Sequence, residues 1–496
     1  MKKASSYLAV DLGAESGRVM LGEFDGGRLQ IREVHRFPNG GVRLDDGLFW
    51  DVLHLWKEIK NGLRKAGSEA GSAIRSIGLD TWGVDFGLLD SQNHLIGNPH
   101  HYRDPRTTGI MDAVFGKVPA ARVYEQTGNQ FMPFNSLFQL YAMVERNDPQ
   151  LSVARTFLNM PDLFNFFLTG VKANEFTITS TTQCYNPVRQ TWAEDLLSAL
   201  AIPAELFGEI IPPGTVLASL REKLAADLGL RHVSVIASAG HDTASAVAAV
   251  PAAGGDYLFL SSGTWSLMGV ELDEPMITPE SLHADMTNEG GYGGKIRFLK
   301  NITGLWLVQE CRRIWAQQGT SLDYSELTKM AAEAPAFGPL IVPGDTRFLA
   351  PEDMPSAIQS YCRETGQKVP QSKGEIIRTA LESLALEYRS VAEQIDRLTG
   401  KHYPVLHIIG GGTKNTLLNQ LAADATGRTV VTGPVEATAI GNILVQAIAM
   451  GDAGSLDEGR AIVRRSFDVD TYEPHQTAEW HAAYARYRLL KDTPLK

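Results

Sequence analysis

A short stretch near the N-terminus, from Tyr7 to Asp25, combines an acidic residue with a turn that suits an anion. Two apolar runs, Tyr7–Val10 and Val19–Phe24, flank small residues, and the first run ends at Asp11. The backbone N–H groups of such a turn converge and can bind an anion. A carboxylate repels a bound phosphate unless a cation lies between them. We therefore predict that Asp11 holds Mg²⁺, directly or through water; an ordinary hairpin with a solvated Asp11 is the alternative.

The turn itself differs from the two common nucleotide-binding loops. It lacks the three spaced glycines and the following helix of the dinucleotide fingerprint, and it has no Gly-Lys-Ser/Thr. Its phosphate-binding groups are instead the backbone amides around Gly13 and Gly17, the hydroxyl of Ser16 and the guanidinium of Arg18.

A second group of reactive residues is Gly240–Thr243, which comes directly before a predicted helix from Thr243 to Val250. The positive end of a helix dipole stabilises a carboxylate at the position of Asp242. This carboxylate could accept the proton of a sugar hydroxyl during phosphoryl transfer, and His241 could bind a neighbouring hydroxyl. Helix capping by Asp242, without a catalytic role, is the alternative.

Three further stretches could contact a small ligand. Gly410–Gly412 separates a predicted strand from a predicted helix, which lets a ligand approach the backbone closely. Asp80–Asp85 places carboxylates and the indole of Trp82 at a strand end, where a sugar could bind; a core tryptophan is the alternative. Asn301 precedes a predicted helix start, where capping is the ordinary explanation.

The elements that must position these residues alternate between strands and helices. Ser372 and Glu375 have capping-box spacing, and apolar residues then recur four and three apart up to Gly400, which predicts one long helix. Other predicted helices are Trp50–Lys65, Asn415–Ala425 and Ala437–Met450, and predicted strands are Ser76–Asp80, Val233–Ala237, Val405–Ile409 and Thr429–Val431. This alternation predicts an α/β fold with a partly parallel sheet.

The opening pattern occurs a second time at Asp256–Val270, where two apolar runs again flank a Ser/Gly turn. This weak internal repeat predicts two similar halves, each with one anion-binding turn. The Pro/Ala/Gly stretch 251–255 reads as the boundary between them. We therefore predict an N-terminal domain over residues 1–250 and a C-terminal domain over 251–496.

Composition excludes several classes of protein. The chain has 496 residues, a net charge of −11 and a pI of about 5.6, which argues against nucleic-acid or anionic-membrane partners. The three cysteines form no C-x-x-C pair, which argues against a disulfide framework and a zinc site. Neither a signal-peptide core nor a membrane-spanning run is present in the sequence, so we expect a soluble cytoplasmic protein.

Taken together, the order of these motifs resembles that of the FGGY family of carbohydrate kinases, within the actin–hexokinase–Hsp70 superfamily. The similarity extends along nearly the whole chain. It is carried by Ala9–Ala14, Ser16–Met20, Asp80–Phe86, His241–Val247, Leu260–Gly269, Thr287–Gly291, Lys300–Leu307, Gly410–Gly412 and Asn415–Leu421.

The resemblance implies two ribonuclease-H-like domains around a central cleft, with ATP, Mg²⁺ and a small sugar as ligands. It implies the catalytic base at Asp242 and sugar contacts at Gly83, His241, Asp242, Thr243 and Asn301. It implies nucleotide contacts at Ala14, Glu15, Ser16, Gly17, Arg18, Thr264, Gln309 and Gly411.

Substrate specificity is also implied by the resemblance. The strings around Trp82, Trp265 and Asn301 point to the branch of the family that phosphorylates L-rhamnulose to L-rhamnulose 1-phosphate, a step in rhamnose catabolism. The phosphate turn departs from the Ser-Ser-Gly expected there, because Glu15 precedes Ser16-Gly17. A carboxylate near the γ-phosphate is unfavourable unless it points to solvent or helps to hold the metal, although its backbone N–H can still bind.

Three alternatives stay open. A related kinase could act on L-fuculose, a pentulose or glycerol. An actin-like nucleotide switch or filament protein would share the phosphate turns, although the Gly-His-Asp-Thr element disfavours it. A sugar-responsive repressor would need a basic DNA-binding region, which this acidic chain lacks before its first strand. A monomer and a dimer are both compatible with the sequence.

Overall fold

The structure, a computed structural model, describes residues 5–45, 47–475 and 477–492 and divides into two compact units. Unit 1 comprises Met1–Ala253, Glu271–Leu299 and Glu436–Phe467. Unit 2 comprises Gly254–Val270, Lys300–Val435 and Asp468–Lys496. The two units alternate along the chain, and the predicted domain division after residue 250 stays a prediction.

The strands of the described residues are β1 (Ser5–Leu12), β2 (Ser16–Phe24), β3 (Leu29–Pro38), β4 (Gly41–Leu44), β5 (Gly47–Trp50), β6 (Ile74–Thr81), β7 (Phe86–Leu89), β8 (Thr156–Asn159), β9 (Asn174–Glu175), β10 (Tyr185–Asn186), β11 (Thr191–Trp192), β12 (Ile210–Ile211), β13 (Thr215–Ser219), β14 (Ser234–Ala237), β15 (Tyr257–Ser262), β16 (Trp265–Leu272), β17 (Thr287–Gly290), β18 (Ile296–Thr303), β19 (Val405–Ile409), β20 (Thr429–Thr432) and β21 (Thr471–Tyr472).

The α-helices of the described residues are α1 (Val52–Ala70), α2 (Ile110–Lys117), α3 (Ala120–Thr127), α4 (Ser136–Glu145), α5 (Pro149–Val153), α6 (Met160–Thr169), α7 (Phe176–Thr179), α8 (Glu194–Ala199), α9 (Glu222–Leu228), α10 (Asp242–Ala248), α11 (Pro279–His283), α12 (Trp306–Gln317), α13 (Tyr324–Glu333), α14 (Met354–Glu364), α15 (Lys373–Thr399), α16 (Thr416–Thr426), α17 (Ala437–Ala449), α18 (Leu456–Ser466) and α19 (Ala478–Asp492). None of these helices is long and apolar enough to cross a membrane.

Two large sheets carry the fold, and their strands follow the same plan. The six-stranded sheet has the order β13-β14-β6-β1-β2-β3, and the seven-stranded sheet has the order β17-β18-β16-β15-β19-β20-β21. In the six-stranded sheet, β1 pairs antiparallel with β2 and parallel with β6. In the seven-stranded sheet, β15 pairs in the same way, antiparallel with β16 and parallel with β19. The predicted internal repeat and the α/β fold with a partly parallel sheet are therefore confirmed.

Helix α1 differs from its prediction at both ends: Trp50 belongs to β5, Asp51 caps the helix, and α1 continues past Lys65 to Ala70. Helix α15, in contrast, forms where its end signals lie. Helix α15 begins with a complete capping box between Ser372 and Glu375 and ends at Gly400, whose φ of 68° suits glycine. The three cysteines, Cys184, Cys311 and Cys362, are buried and free. The capping explanation for Asn301 is wrong: this residue lies inside β18, because that strand continues to Thr303 and the next helix, α12, begins at Trp306.

Helix α17 packs on the first sheet within unit 1. Its Gln446 side chain donates to the carbonyl of Leu8 at 3.0 Å and accepts from the Ser76 hydroxyl at 2.7 Å. A Cβ at Gly78 would lie 2.4 Å from Asn442 Oδ1, so only glycine lets the helix approach β6 this closely. The same helix lies against α10, where a Cβ at Gly441 would be 1.7 Å from the backbone oxygen of Ser245.

Candidate active site

Two aspartates lie side by side at the carboxyl ends of neighbouring strands of unit 1. The parallel register of β1 and β6 sets Asp11 beside Asp80, and the antiparallel register of β1 and β2 sets Asp11 beside Arg18. The carboxyl ends of parallel strands are where α/β folds commonly build ligand sites. Both aspartates are buried, so Asp11 is not the solvated residue that an ordinary hairpin would have.

Arg18 is bound by carboxylates at both ends of its guanidinium. Its Nη2 atom is 2.5 Å from Asp11 Oδ2, and its Nη1 atom pairs with Glu436. Burial raises the pKa of Asp11, and the charges of Asp242 and Glu436 add to this, although Arg18 opposes it. Arg18 therefore neutralises acidic groups in this arrangement, and its predicted contact with phosphate stays a prediction.

Asp80 is held in a more extreme environment. Asn442 of α17 donates to its Oδ2 atom at 2.5 Å, whereas Oδ1 has no hydrogen-bond partner among the described residues. Burial raises the pKa of Asp80 well above its usual range, and the charges of Asp11 and Asp242 act in the same direction. Repulsion among these carboxylates makes the strand ends receptive to a cation.

This donor set fits Mg²⁺, which the family resemblance implies. Carboxylate oxygens suit this ion, which usually takes one or two of them and completes its shell with water and phosphate oxygens. Within residues 5–45, 47–475 and 477–492, no three His, Cys, Asp or Glu side chains are arranged to hold a metal on their own. The residues present therefore fit a cation that is bound by Asp11 and completes its coordination with water or phosphate oxygens, as the sequence predicts.

The turn between β1 and β2 presents free amides. It is closed by the Gly13 N–H, which donates to the Ser16 carbonyl at 3.0 Å, and it is braced by Asn39, whose side chain donates to the Gly13 carbonyl at 2.7 Å. Among the described residues, the N–H groups of Ala14 and Glu15 have no backbone acceptor. The Glu15 side chain is exposed to solvent, which is one of the two arrangements in which its negative charge is compatible with a phosphate bound at this turn.

Asp242 is the first residue of α10, and His241 occupies the N-cap position without a capping side-chain bond. The capping explanation for Asp242 is therefore wrong. Its Oδ1 atom accepts from the Thr243 hydroxyl at 3.1 Å and lies 3.4 Å from His241 Nε2, and about a third of its side chain (32%) is exposed. A Cβ at Gly83 would be 3.5 Å from His241 Nε2, so Gly83, His241, Asp242 and Thr243 form one group.

The loop before Asp242 is held by hydrogen bonds to the buried Glu175 side chain. One carboxylate oxygen, Oε2, accepts from the Gly240 N–H at 2.9 Å and from the Thr177 hydroxyl at 2.6 Å. The Thr177 oxygen in turn accepts from the His241 N–H at 3.2 Å. Glu175 and Thr177 therefore set the backbone path from which the His241 and Asp242 side chains emerge.

Burial of Glu175 predicts a pH-dependent stability. Burial raises its pKa to about 7, although hydrogen bonds from Thr177, Gly240 and Ile178 oppose this. A glutamate in the unfolded chain has a pKa of about 4.3. Between these values the folded protein keeps a proton that the unfolded chain has released, so the free energy of unfolding falls as the pH rises through this window.

Glu175→Gln removes this titration. We expect the free energy of unfolding of the variant, relative to wild type, to rise by up to about 3 kcal/mol between roughly pH 5 and pH 8. Denaturant unfolding at both pH values measures it. Glu205→Gln, a change at an exposed glutamate of the same unit, serves as the control. A stability difference between variant and wild type that does not change with pH contradicts this prediction.

The aromatic cluster at Trp82 belongs to the core. Trp82 is buried and its ring centroid is 3.9 Å from that of Trp50. Both indole N–H groups donate to Asp85 Oδ2, at 3.0 and 2.6 Å, and Gln139 donates to Oδ1 at 2.9 Å. Burial raises the pKa of Asp85 to about 6. The core interpretation of Trp82 is therefore confirmed, and Asp85 serves to satisfy the two indoles.

The predicted residues of unit 2 surround its own Ser/Gly turn. Thr264 accepts backbone N–H bonds from Gly304 and Trp306 at 3.2 and 3.1 Å, which ties the turn to the start of α12. One helical turn further along, Gln309 has a buried Oε1 atom without a hydrogen-bond partner among the described residues. Asn301 belongs to this unit as well and is half-buried in β18.

The triglycine segment packs on the same turn of unit 2. A Cβ at Gly412 would lie 2.0 Å from Ser262 Oγ, and one at Gly410, whose φ is 86°, would lie 3.2 Å from the Ser262 carbonyl. At Gly411 an added Cβ would meet no atom within 4 Å, and this residue is exposed. Gly411 is thus the glycine of the three with open space beside its backbone, and its predicted nucleotide contact stays a prediction.

Asp80 is predicted from sequence as part of the strand-end group Asp80–Asp85, whereas two other groups of the site are not. No local pattern indicates Glu436 or Asn442, because their partners lie far away in the chain, on the first sheet.

Comparison with known proteins bears on what this arrangement does. Residues 6–249 match the N-terminal domain, and residues 258–450 the C-terminal domain, of the FGGY family of carbohydrate kinases. The chain belongs to the FGGY family of carbohydrate kinases. The resemblance inferred from sequence is confirmed, and the protein is an ATP-dependent sugar kinase.

Named relatives of this FGGY kinase are similar over almost their full length. A rhamnulokinase of Bacteroides thetaiotaomicron is 46% identical over 483 residues, which cover 97% of this chain and 99% of the relative. A rhamnulokinase of Oceanobacillus iheyensis is 42% identical over 465 residues, which cover 94% and 97%.

Solved structures establish the fold of this FGGY kinase. A ligand-bound xylulose kinase from Lactobacillus acidophilus superposes with a TM-score of 0.82 at 17% identity, covering 98% of each chain. Plasmodium falciparum glycerol kinase with ADP gives a TM-score of 0.79 at 15% identity, covering 99% of each chain. The fold is therefore the two-domain FGGY kinase fold.

Proposed function

We propose that this FGGY kinase transfers the γ-phosphoryl group of ATP to the 1-hydroxyl of L-rhamnulose, giving L-rhamnulose 1-phosphate and ADP. The proposal is supported by relatives named rhamnulokinase that are 42% and 46% identical to nearly the whole chain. It is further supported by the grouping of Gly83, His241, Asp242 and Thr243, which places a proton acceptor and a ring nitrogen together beside a glycine.

The observation that carries the chemistry is the exposure of the Asp242 carboxylate and its hydrogen-bond contacts. Its carboxylate is partly exposed, follows a loop that Glu175 and Thr177 hold by hydrogen bonds, and keeps one oxygen free of the Thr243 and His241 contacts, which both involve Oδ1. Such a group can reach a hydroxyl and take its proton. The bond from the sugar oxygen to the γ-phosphorus forms, the bond from that phosphorus to the β–γ bridging oxygen breaks, and the proton passes to Asp242.

Most of the remaining predicted residues would position the nucleotide, and the others would contact the sugar or Mg²⁺. The free amides of Ala14 and Glu15 suit phosphate oxygens, and Ser16, Gly17 and Arg18 complete that turn. In unit 2, Thr264, Gln309 and Gly411 are assigned to the nucleotide and Asn301 to the sugar. Mg²⁺, held by Asp11 with water, would offset negative charge on the phosphates.

The substrate is tested by a coupled assay of ADP release with Mg-ATP. The sugars compared are L-rhamnulose, L-fuculose, L-ribulose, L-xylulose, D-xylulose and glycerol. We expect kcat/KM to be highest for L-rhamnulose, by at least roughly tenfold, because sites that bind hydroxyls discriminate against misplaced ones. A higher kcat/KM for another sugar contradicts the proposed substrate, and the absence of sugar-dependent turnover contradicts the proposed reaction.

A further inference from the structure

The ring of His241 contacts two buried, oppositely charged side chains of unit 1. Its Nδ1 atom is 3.0 Å from Arg297 Nη2 and 3.4 Å from Glu289 Oε2. The Arg297 side chain is fully buried at 0% exposure, and that of Glu289 is 6% exposed. Neither residue belongs to the sugar-contact set that the sequence predicts.

Arg297 and Glu289 are held by the sheet itself. They face each other directly in the antiparallel pair of β17 and β18, with Arg297 Nη2 3.2 Å from Glu289 Oε2. Arg297 Nε also donates to the Gly290 carbonyl at 2.8 Å, which fixes the guanidinium plane.

The chemistry of the guanidinium determines where the imidazole carries its proton. Arginine has only N–H donors and stays protonated in proteins, so the ring nitrogen that it contacts must accept a hydrogen bond. His241 Nδ1 is that acceptor, and a neutral imidazole then carries its hydrogen on Nε2. Glu289 favours the opposite arrangement, but it lies farther from Nδ1 than Arg297 does.

The other ring nitrogen faces the proposed sugar site. Nε2 is 3.4 Å from Asp242 Oδ1 and 3.5 Å from the position that a Cβ on Gly83 would take. We propose that Arg297 is a positioning residue that fixes the proton of His241 on Nε2, so that this nitrogen donates a hydrogen bond to a sugar hydroxyl. The role toward the sugar rests on the proposed function, whereas the proton position does not.

A buried arginine at this place is costly unless it serves such a role. Its Nη1 atom has no hydrogen-bond partner within the part of the chain that the structure describes. An unsatisfied buried charged group destabilises a fold, and an apolar side chain would fill the same space without that cost. The contact with His241 gives a functional reason for keeping it.

The proton position is measured by ¹⁵N NMR of protein labelled at the histidine ring nitrogens, with His241→Gln used to assign the signals. In wild type we expect a protonated Nε2 and an unprotonated Nδ1. In Arg297→Met, Glu289 becomes the remaining partner of Nδ1, so that nitrogen should gain a proton. Glu289→Gln, which keeps the arginine contact, should retain the wild-type pattern, as should Arg297→Lys if its ammonium reaches the ring.

Kinetics provide the second readout. In Arg297→Met we expect KM for the sugar to rise roughly tenfold, the loss of about one hydrogen bond, while kcat changes by less than about threefold. A wild-type His241 protonated at Nδ1, or an unchanged pattern in Arg297→Met, overturns the proposal. The wild-type spectrum alone decides it if that variant fails to fold. Absence of sugar-dependent turnover would contradict the proposed function but not the proton assignment.

Discussion

Replacement of Asp242 by asparagine is expected to lower kcat by roughly 10²- to 10⁴-fold, the range attributed to a general base. The amide keeps the size of the carboxylate, and its oxygen can still accept from the Thr243 hydroxyl. What it loses is the ability to take the proton of the sugar hydroxyl. We therefore expect the dissociation constants of the sugar and of ATP, measured by titration calorimetry, to change by less than about threefold.

A matched change elsewhere separates this loss from a general effect of the substitution. Asp112 also lies in the first turn of a helix, α2, and is exposed, so Asp112→Asn should keep wild-type kcat. If Asp242→Asn retains near wild-type kcat, Asp242 is not the base. If it instead loses sugar binding with kcat intact, Asp242 acts only as a sugar contact.

Replacement of Gly441 by alanine is expected to have the largest effect on stability. The new Cβ would lie 1.7 Å from the Ser245 carbonyl oxygen and 2.6 Å from its carbonyl carbon, both backbone atoms of α10. Backbone cannot rotate away as a side chain can, so α10 or α17 must move. Overpacking of this kind costs about 3 kcal/mol or more, and the melting temperature should fall by several degrees.

The same change links packing to catalysis, because α10 begins with Asp242. A displaced α10 moves the carboxylate, so the folded fraction of Gly441→Ala should also lose kcat. Gly459→Ala on α18 is the control: the atoms nearest to its Cβ would be the Leu444 methyl groups at 3.5 Å, an ordinary contact. Alanine is the better helix former by about 1 kcal/mol, so that variant should be as stable as wild type or more stable. Equal melting temperatures for Gly441→Ala and wild type contradict the close helix contact.

Elements with strong local signals were predictable from the sequence. Helix α15 carries its start signal at Ser372, its stop signal at Gly400 and an apolar stripe between them, so no distant contact is needed to define it. The two hairpins at β1–β2 and β15–β16 likewise show their turn residues directly. Capping was the ordinary explanation for Asn301 because a polar residue inside a strand and a polar residue before a helix look alike in sequence, and α12 begins only a few residues later, at Trp306.

The site was predictable only where a single stretch carries it. The turn around Ser16 and the string Gly240–Thr243 contain their own chemistry. The groups that tune them, Glu436 and Asn442 from α17 and Glu175 from β9, come from other parts of the chain and meet only through the sheet. Sequence patterns reveal only contacts between residues that are close in the chain. Contacts between distant residues, such as these, become visible only in the three-dimensional fold.

The proposed reaction is tested most directly by the identity of its product. L-Rhamnulose has one primary hydroxyl, on carbon 1, so phosphorylation there couples phosphorus to the two protons of one carbon. The measurement is ³¹P–¹H correlation NMR of a reaction containing enzyme, L-rhamnulose and Mg-ATP. We predict one new phosphate ester, coupled to that CH₂ group and formed in step with ADP. An ester on a secondary carbon, or ADP formed without any sugar ester, would contradict the account.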